Sequence, residues 1–533
     1  MAKTDILCPD CGEPVYRRSQ MRGKRRYAHR MAQKLDCKWW GTDPVGVEAD
    51  KATGVDPIIA LALKRKIIAS RRGKVRYVIT SAQNATPVFD RGWQTLLGYC
   101  DRNDARLLVI PFRYRNPTST WSAKAQKDDW WAPEVLPYLI NHRVDLNRHL
   151  VLLADIMTQP TASDPLEGFE TISGAKSAII GHPRLELTTV PTPQARLPKI
   201  LTTTGAITRR NYIPSKAGKK GEFHHTFGAA LVEVDGPKFH LRQINMARDG
   251  SFCDLLTEYD GSKATVYDRV DALVMGDTHV EVVDPSVVRA TFGQGGILDT
   301  LKPRTLVWHD VFDGASNNHH ERGRAFHEYV KYKAGRNDVA AEVRRTMEFI
   351  DKAAEGRDML NVFVPSNHND FLREWVENTD PRGDPANCMF WAETYLAVLR
   401  SAETRWTPGG VAVQDAFAYW GKKLLRTASQ ALFLRKGEVY QINGIEVGYH
   451  GHLGSGGKPG TREGFSRIGV RTIFGHGHAP GIRAGAYQVG TSSRLALAYM
   501  AGTPSAWLHT HCLVYPNGKR SLLNVIDGEY RMA

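Results

Sequence analysis

Metal-capable side chains follow a series of apolar, strand-like segments in the C-terminal half of the chain. Five such segments end in Asp, His or Asn: Leu273–His279, Leu306–Asp313, Val362–Asp370, Val447–His452 and Ile473–His478. In α/β proteins, ligand sites collect at the carboxyl ends of strands, where loops bring distant residues together. Carboxylate, imidazole and amide ligands together suit divalent manganese, iron, zinc or nickel. Two such ions about 3.5–4 Å apart can bind both the attacking and the leaving oxygen of a phosphoryl displacement. The pattern therefore predicts a two-metal site for phosphate ester chemistry.

The order of these motifs resembles that of the calcineurin-like metallophosphoesterases, which include the SbcD and Mre11 nucleases. The shared order is Asp-x-His, Gly-Asp-x-x-Asp, Gly-Asn-His-Asp/Glu, a single His, and Gly-His-x-His. The most specific element is Gly475–Ser493 (GHGHAPGIRAGAYQVGTSS), which looks like the closing segment of that family. The resemblance covers about residues 270–495, less than half of the chain. It implies an α/β fold with a C-terminal four-layer metallophosphoesterase sandwich.

Carried over position by position, the resemblance implies ligands for two divalent metals. The first metal would be held by Asp277, His279 and His478, the second by Asn367, His450 and His476, with Asp310 bridging the two. His368 would protonate the leaving oxygen or stabilise the transition state. His450 is favoured over its neighbour His452 as a ligand because it comes directly off its strand. With so many imidazoles, manganese fits this set better than magnesium, which prefers oxygen ligands.

Three positions depart from the family pattern. His309 stands where a Gly normally precedes the bridging Asp, and Ser366 replaces the Gly of the Gly-Asn-His motif. Asn369 stands where an acid is usual, and Asp370 lies one place later. A group that orients an imidazole is part of such a site. The change at position 369 therefore leaves open which group orients His368.

A small module at the N-terminus has the spacing of a zinc ribbon or knuckle. Its candidate ligands are Cys8, Cys11, His29 and Cys37, and the alternative is three buried or free thiols. Cationic side chains lie between the two ligand pairs, namely Arg17, Arg18, Arg22, Lys24, Arg25 and Arg26. Trp39 and Trp40 follow the last cysteine. Basic and aromatic side chains together suit phosphate contact and base stacking, so the six cations are predicted to bind nucleic acid.

The net charge of +15 is concentrated at the N-terminal end of the chain. Residues 1–80 contain 18 Lys and Arg against 8 Asp and Glu, an excess of 10. A basic segment attracts polyanions such as nucleic acids, although a solubilising surface explains the charge about equally well. No apolar run approaches the roughly 18–20 residues that span a bilayer, and the N-terminus lacks the architecture of a signal peptide. These features predict a cytoplasmic protein without a membrane partner, in the host cytoplasm if a phage encodes it.

Composition and pattern divide the 533 residues into three predicted units. Residues 1–45 form the zinc-ribbon-like module, 46–261 an α/β domain of unknown role, and 262–533 the metallophosphoesterase domain with a helical insert at about 320–425. Within the middle unit, Lys216–Lys220 (KAGKK) is predicted to be a basic loop. Hairpins are predicted in Ala431–His450 and in Ala506–Tyr530, with Asn-Gly turns.

The function favoured by these features is that of a metal-dependent nuclease acting on DNA. The C-terminal domain would supply hydrolysis, and the basic zinc module would supply affinity for nucleic acid. A DNA-transfer or DNA-degrading protein of a tailed phage would have this organisation. Two alternatives stay open: a phosphomonoesterase or cyclic-nucleotide phosphodiesterase, because the same metal core serves all three reactions, and a non-catalytic DNA-binding regulator.

Overall fold

A computed structural model describes residues 73–114, 130–194, 196–401 and 415–532, together with the backbone of four short strands nearer the N-terminus. Those strands form an antiparallel sheet in chain order: β1 (Lys3–Leu7), β2 (Pro14–Met21), β3 (Lys24–Ala28) and β4 (Trp40–Gly41). The four predicted zinc ligands and Arg22 lie outside the described residues. Along the described ranges, no helix is both long enough and apolar enough to cross a bilayer.

The middle of the chain begins with a four-stranded sheet in the order β13-β12-β5-β6. Its strands are β5 (Lys74–Gln83), β6 (Ala105–Phe112), β12 (Gly228–Asp235) and β13 (Lys238–Asn245). A three-stranded antiparallel sheet follows, made of β14 (Phe252–Asp254), β15 (Thr257–Asp260) and β16 (Lys263–Val266). The parallel pair β5 and β6 carries the continuous apolar runs that are typical of strands buried on both faces.

A ten-stranded sheet joins the middle of the chain to its C-terminal part, in the order β21-β22-β23-β25-β24-β10-β11-β9-β8-β7. Its first five strands in the chain are β7 (Arg143–Asp145), β8 (Leu150–Leu153), β9 (Ser177–Ile180), β10 (Glu186–Val190) and β11 (Lys199–Thr203). The other five are β21 (Gln441–Ile442), β22 (Ile445–Glu446), β23 (Arg471–Phe474), β24 (Gly481–Arg483) and β25 (Ala486–Gln488). The sheet therefore crosses the boundary predicted at residues 261 and 262, and the two segments share one hydrogen-bonded structure.

A six-stranded sheet has the order β20-β19-β18-β17-β26-β27. Its strands are β17 (Ala272–Val274), β18 (Thr305–Trp308), β19 (Leu360–Phe363), β20 (Ala431–Phe433), β26 (Thr510–Val514) and β27 (Arg520–Asn524). Strands β17 to β20 are parallel, so their carboxyl ends meet at one edge of the sheet. This edge carries three of the five predicted metal motifs.

Helices cover the outer faces of these sheets. In chain order they are α1 (Asp90–Arg102), α2 (Phe169–Ile172), α3 (Lys216–His224), α4 (Pro285–Phe292), α5 (Ile297–Leu301), α6 (Ala325–Lys333), α7 (Val339–Ala354), α8 (Asn367–Asn378), α9 (Cys388–Ser401), α10 (Ala416–Leu424) and α11 (Arg462–Phe465). Val343 and Ile350 of α7 pack in one core with Trp308 of β18. A second core lies between the sheets, where Val307 of β18 and Ile473 of β23 belong to one buried cluster. These elements establish a mixed α/β fold, while the division into four layers stays a prediction.

The structure corrects two local predictions. The predicted basic loop Lys216–Lys220 is wrong, because it forms the start of helix α3. The Ser215 hydroxyl accepts a hydrogen bond from the Gly218 amide at 3.0 Å and caps this helix. The first predicted hairpin is confirmed only at its turn, where Asn443 and Gly444 have φ of 51° and 72° between β21 and β22. Strand β20 instead joins the six-stranded sheet. The second predicted hairpin is confirmed as β26 and β27.

Candidate metal centre

The predicted metal ligands lie at the carboxyl ends of strands from two different sheets. Asp277 follows β17, Asp310 follows β18, and Asn367 begins the helix after β19, all at one edge of the six-stranded sheet. His450 and His476 follow β22 and β23, which are parallel neighbours in the ten-stranded sheet. The two edges meet through backbone contacts, since the Asp277 amide donates to Gly490 O at 3.1 Å. Strand pairing therefore brings together segments almost 200 residues apart in the sequence.

The ligands predicted for the first metal form one compact group. Nitrogen or oxygen atoms of Asp277, His279 and His478 lie within 4.8 Å of one another, and all three residues are buried. His478 Nε2 is 3.1 Å from Asp277 Oδ2 and 3.2 Å from His279 Nε2. Two imidazole nitrogens and a carboxylate oxygen thus converge on one point, which is the arrangement that a divalent cation needs.

The ligands predicted for the second metal form an adjacent group. Asp310, His450 and His476 meet the same distance criterion, and His450 Nε2 is 2.9 Å from Asp310 Oδ2. Asn367 Oδ1 is a buried oxygen without a hydrogen-bond partner among the described residues. Asp310 Oδ2 also lies 3.9 Å from His279 Nε2, so this carboxylate borders both groups, as the bridging role requires.

The charge of the site calls for cations. Asp277, Asp310 and Asp313 place three carboxylates in the site, and in the described parts of the chain their ion-pair partners are all histidines. Oxygen atoms of both Asp277 and Asp310 are buried without a hydrogen-bond donor. Burying carboxylates without positive partners is costly unless they bind a metal. The residues present therefore fit divalent metal ions.

The backbone of the site is held in unusual conformations. His279, Asp310, His476 and His478 all have positive φ, between 40° and 70°. For residues other than glycine, this left-handed region costs of order 1 kcal/mol or more per residue and clusters at functional sites. Four of the seven proposed ligands share this strain, which indicates that their side chains are positioned at the expense of local stability.

Gly475 allows the two ligand sets to approach each other. A Cβ at this position would lie 2.2 Å from Asp277 Oδ1 and 3.2 Å from His309 Cγ, closer than atoms can pack. The glycine of the Gly-His-x-His motif therefore has a steric role. It lets the strand end that carries His476 and His478 touch the opposite sheet.

Asp313 orients two histidines, a role that the sequence-based analysis did not assign. Its Oδ1 accepts a hydrogen bond from His279 Nδ1 at 3.1 Å, and its backbone carbonyl accepts one from His368 Nδ1 at 2.7 Å. Burial alone would lower the pKa of His279, but the hydrogen bond and charge of Asp313 outweigh burial and raise it to about 9. Asp313 is the last residue of the Asp-x-x-Asp motif, so its presence in that motif was the available signal.

His309, which replaces the usual Gly, points its imidazole into the site. Its ring nitrogens form a further candidate metal group with Asp277 and His450, and its Nδ1 is 3.4 Å from His450 Nδ1. Burial, and then the charge of His450, lower the pKa of His309 to about 4, so its imidazole is neutral. A neutral imidazole can accept a proton from His450 or bind a metal.

The structure also places the remaining predicted residues. The His368 ring lies 4.6 Å from the His279 ring, at the edge of the first metal group. His452 is near His450, with ring centroids 5.5 Å apart, but belongs to none of the candidate metal groups in the described ranges. Asp370, the possible replacement for the family's acid, pairs instead with Arg373 and Lys436.

The predicted N-terminal sites receive no test from this structure. Cys8, Cys11, His29 and Cys37 lie outside the described residues, as does Arg22. Arg17 and Arg18 lie in β2, and Lys24, Arg25 and Arg26 lie in β3, where only the backbone is described. The zinc site and the nucleic-acid contacts therefore stay predictions.

The fold and these clusters define an α/β protein with a candidate metal centre between two sheets. The chain is 32% identical to Protein A1 of Escherichia phage T5 over 478 residues, which are 86% of this chain and 83% of that protein. It therefore belongs to the family of Protein A1, and this relative is a phage protein, as the sequence pattern anticipated. No known protein-family model matches the chain. Vps29 of Chaetomium thermophilum aligns over 36% of this chain and 98% of its own, with 8% identity and a TM-score of 0.20, which is too low to support a conclusion.

Proposed function

We propose that this chain is a two-metal-dependent phosphodiesterase that acts as a nuclease on DNA. The observation that supports it most is the pair of adjacent Asp/His groups, whose buried carboxylates have only histidines as ion-pair partners in the described ranges. Two adjacent cation sites are the arrangement used to displace an oxygen from phosphorus. The motif order of the metallophosphoesterases points to the same reaction class.

The metal ligands divide as the resemblance implies. Asp277, His279 and His478 would hold one ion, while Asn367, His450 and His476 would hold the other, with Asp310 between them. Bound there, two divalent cations would neutralise the charge that develops on the attacking and leaving oxygens. Manganese is the proposed metal, because most of these ligands are imidazoles.

His368 is the proposed general acid. Its Nδ1 donates to the Asp313 carbonyl, so this nitrogen carries a proton and the ring orientation is fixed. Nε2 is then the atom that can release a proton to the leaving oxygen of the substrate. General acids of this kind contribute roughly 10²–10⁴-fold to the rate.

Nucleic acid is the proposed substrate because of the charge at the N-terminal end. The excess of 10 positive charges in residues 1–80 suits a polyanion, and the predicted zinc module would carry most of the contacts. A phosphomonoesterase would use the same metal core but would have no need for this basic segment.

A substrate panel tests the proposal. Manganese-loaded protein should cleave linear or circular DNA and a phosphodiester dye, and should cleave a phosphomonoester dye poorly. His450→Ala should lose bound metal and activity, while the matched variant His452→Ala should keep both. Cleavage of the monoester alone would reject the nuclease assignment. Inertness towards all substrates by the metal-loaded protein would favour a DNA-binding regulator.

A further inference from the structure

Two aromatic side chains that the metal core does not use lie beside His478. The Trp507 ring centroid is 4.2 Å from the His478 ring, with an angle of 69° between the planes. Tyr499 lies 6.3 Å from Trp507 at an angle of 63°. Trp507 is only partly buried, and Tyr499 is 74% exposed. The two rings therefore form an open aromatic corner at the edge of the candidate metal centre.

The position of this corner relative to the proposed chemistry follows from a row of rings. Trp507 contacts His478, His478 contacts His279 with centroids 5.1 Å apart, and His279 contacts His368 with centroids 4.6 Å apart. The aromatic corner and the proposed general acid thus lie at opposite ends of the row. A phosphate bound at the metal ligands would lie between them, so one of its two ester groups would extend towards the corner.

The backbone around the corner is tied down before any ligand binds. Ser505 and Thr192 exchange two backbone hydrogen bonds of 2.9 and 3.0 Å, which fix the segment to the middle of the chain. The amide of Leu508 donates to His478 O at 3.3 Å. Gln194 Nε2 donates to Met500 O at 2.6 Å, next to Tyr499. A surface fixed in this way loses little conformational entropy on binding.

We propose that Tyr499 and Trp507 form a nucleobase-binding subsite for the nucleotide next to the scissile phosphate. The inference rests on the proposed nuclease function, because it takes the phosphodiester as given and assigns the neighbouring base. Aromatic side chains stack on the face of any base. A role for Trp507 in supporting His478 would explain its own contact but would give no reason for the exposed ring of Tyr499.

The subsite sets a requirement on the substrate. A base inside a duplex is already stacked on its neighbours and must be extruded before a side chain can contact it. The subsite therefore favours single strands, frayed ends and gaps over intact duplex. Cleavage would then show little dependence on base sequence, since stacking is sequence-tolerant.

Binding of single-stranded DNA tests this inference apart from catalysis. A fluorescein-labelled octanucleotide and a set of probes that each carry one abasic residue are titrated in EDTA, with anisotropy as the readout. The wild type should lose affinity when the abasic residue occupies the subsite. Tyr499→Ala and Trp507→Leu should weaken binding of the intact probe by roughly 5- to 150-fold, the range for loss of one base–aromatic stack, and should bind the abasic probe as the wild type does. Trp507→Phe should retain most of the preference.

Controls separate stacking from a structural effect. Tyr332→Ala removes a tyrosine of similar exposure, 69%, from helix α6 and should leave the preference unchanged. Manganese content should stay at the wild-type level in Tyr499→Ala. An unchanged ratio of intact to abasic affinity in both Tyr499→Ala and Trp507→Leu would overturn the subsite, and so would an equal loss for both probes.

A parallel cleavage assay distinguishes the subsite from the proposed function. If manganese-loaded wild type cleaves the octanucleotide but the variants keep the abasic preference, the subsite alone is rejected. If the wild type cleaves neither single-stranded nor duplex DNA, the nuclease proposal fails and the subsite fails with it.

Discussion

Asp313→Asn should weaken metal binding without removing the catalytic proton donor. The Asp313 side chain accepts from His279 Nδ1 at 3.1 Å, and the two side chains are only 14% and 5% exposed. A carboxylate that holds a ligand histidine fixes the ring and increases the basicity of its other nitrogen. Loss of such a partner typically weakens metal affinity by 10- to 100-fold, which corresponds to about 1.4–2.7 kcal/mol.

The same substitution should leave turnover at saturating manganese much less affected. His368 is held by the backbone carbonyl of Asp313, and this bond at 2.7 Å survives any change of side chain. The variant is nearly isosteric, so packing is retained. The structure therefore predicts a large change in manganese affinity together with a small change in the maximal rate.

Manganese affinity is measured by competition with a fluorescent chelator, and rates are measured over a manganese titration with a phosphodiester dye. Asp370→Asn is the matched control, because Asp370 is the acid nearest in sequence to the family position and pairs with Arg373 and Lys436. It should leave manganese affinity unchanged. Equal affinity in Asp313→Asn and wild type would refute the orienting role, as would a collapse of the rate at saturating metal.

Four further predictions follow from the site and the charges. Chelation should abolish activity, and manganese should restore it better than magnesium; full activity with magnesium alone would contradict an imidazole-rich core. Asp310→Asn should lower bound metal by mass spectrometry, whereas His368→Ala should keep it and slow turnover by roughly 10²–10⁴-fold; metal loss in His368→Ala would make it a ligand. Burial would raise the pKa of Glu233, but the charge and hydrogen bonds of Arg242 outweigh burial and lower it from 4.5 to about 2. This stabilisation is present above pH 4.5 and is lost as pH falls towards 2, so Glu233→Gln should cost about 3 kcal/mol at pH 7 in urea unfolding and less at pH 3.5; a cost independent of pH would reject it. Deleting residues 1–45 should flatten the dependence of log DNA affinity on log salt, at roughly 0.9 per lost phosphate contact, while dye hydrolysis stays unchanged; an unaltered slope would place the DNA-binding surface elsewhere.

The sequence by itself determined which segments carry the metal-capable residues. Apolar runs that end in Asp, His or Asn are a local pattern, because strands buried on both faces are continuously apolar and ligand sites follow their carboxyl ends. Spacing within one motif, as in His476-x-His478, is likewise fixed by the covalent chain. The turn at Asn443-Gly444 could be predicted for the same reason, since both residues tolerate positive φ.

Tertiary structure alone decided how these segments combine. The middle of the chain supplies half of a sheet whose other strands carry His450 and His476, and no local pattern predicts pairing between segments so distant in sequence. The orienting bond from Asp313 to His368 uses a backbone carbonyl, which has no side-chain signature. His309 could be recognised as a departure from the pattern, but its place between Asp277 and His450 depends on how two sheets approach. The aromatic corner of Tyr499 and Trp507 lies outside the ligand motifs, because only folding brings it to the edge of the metal centre.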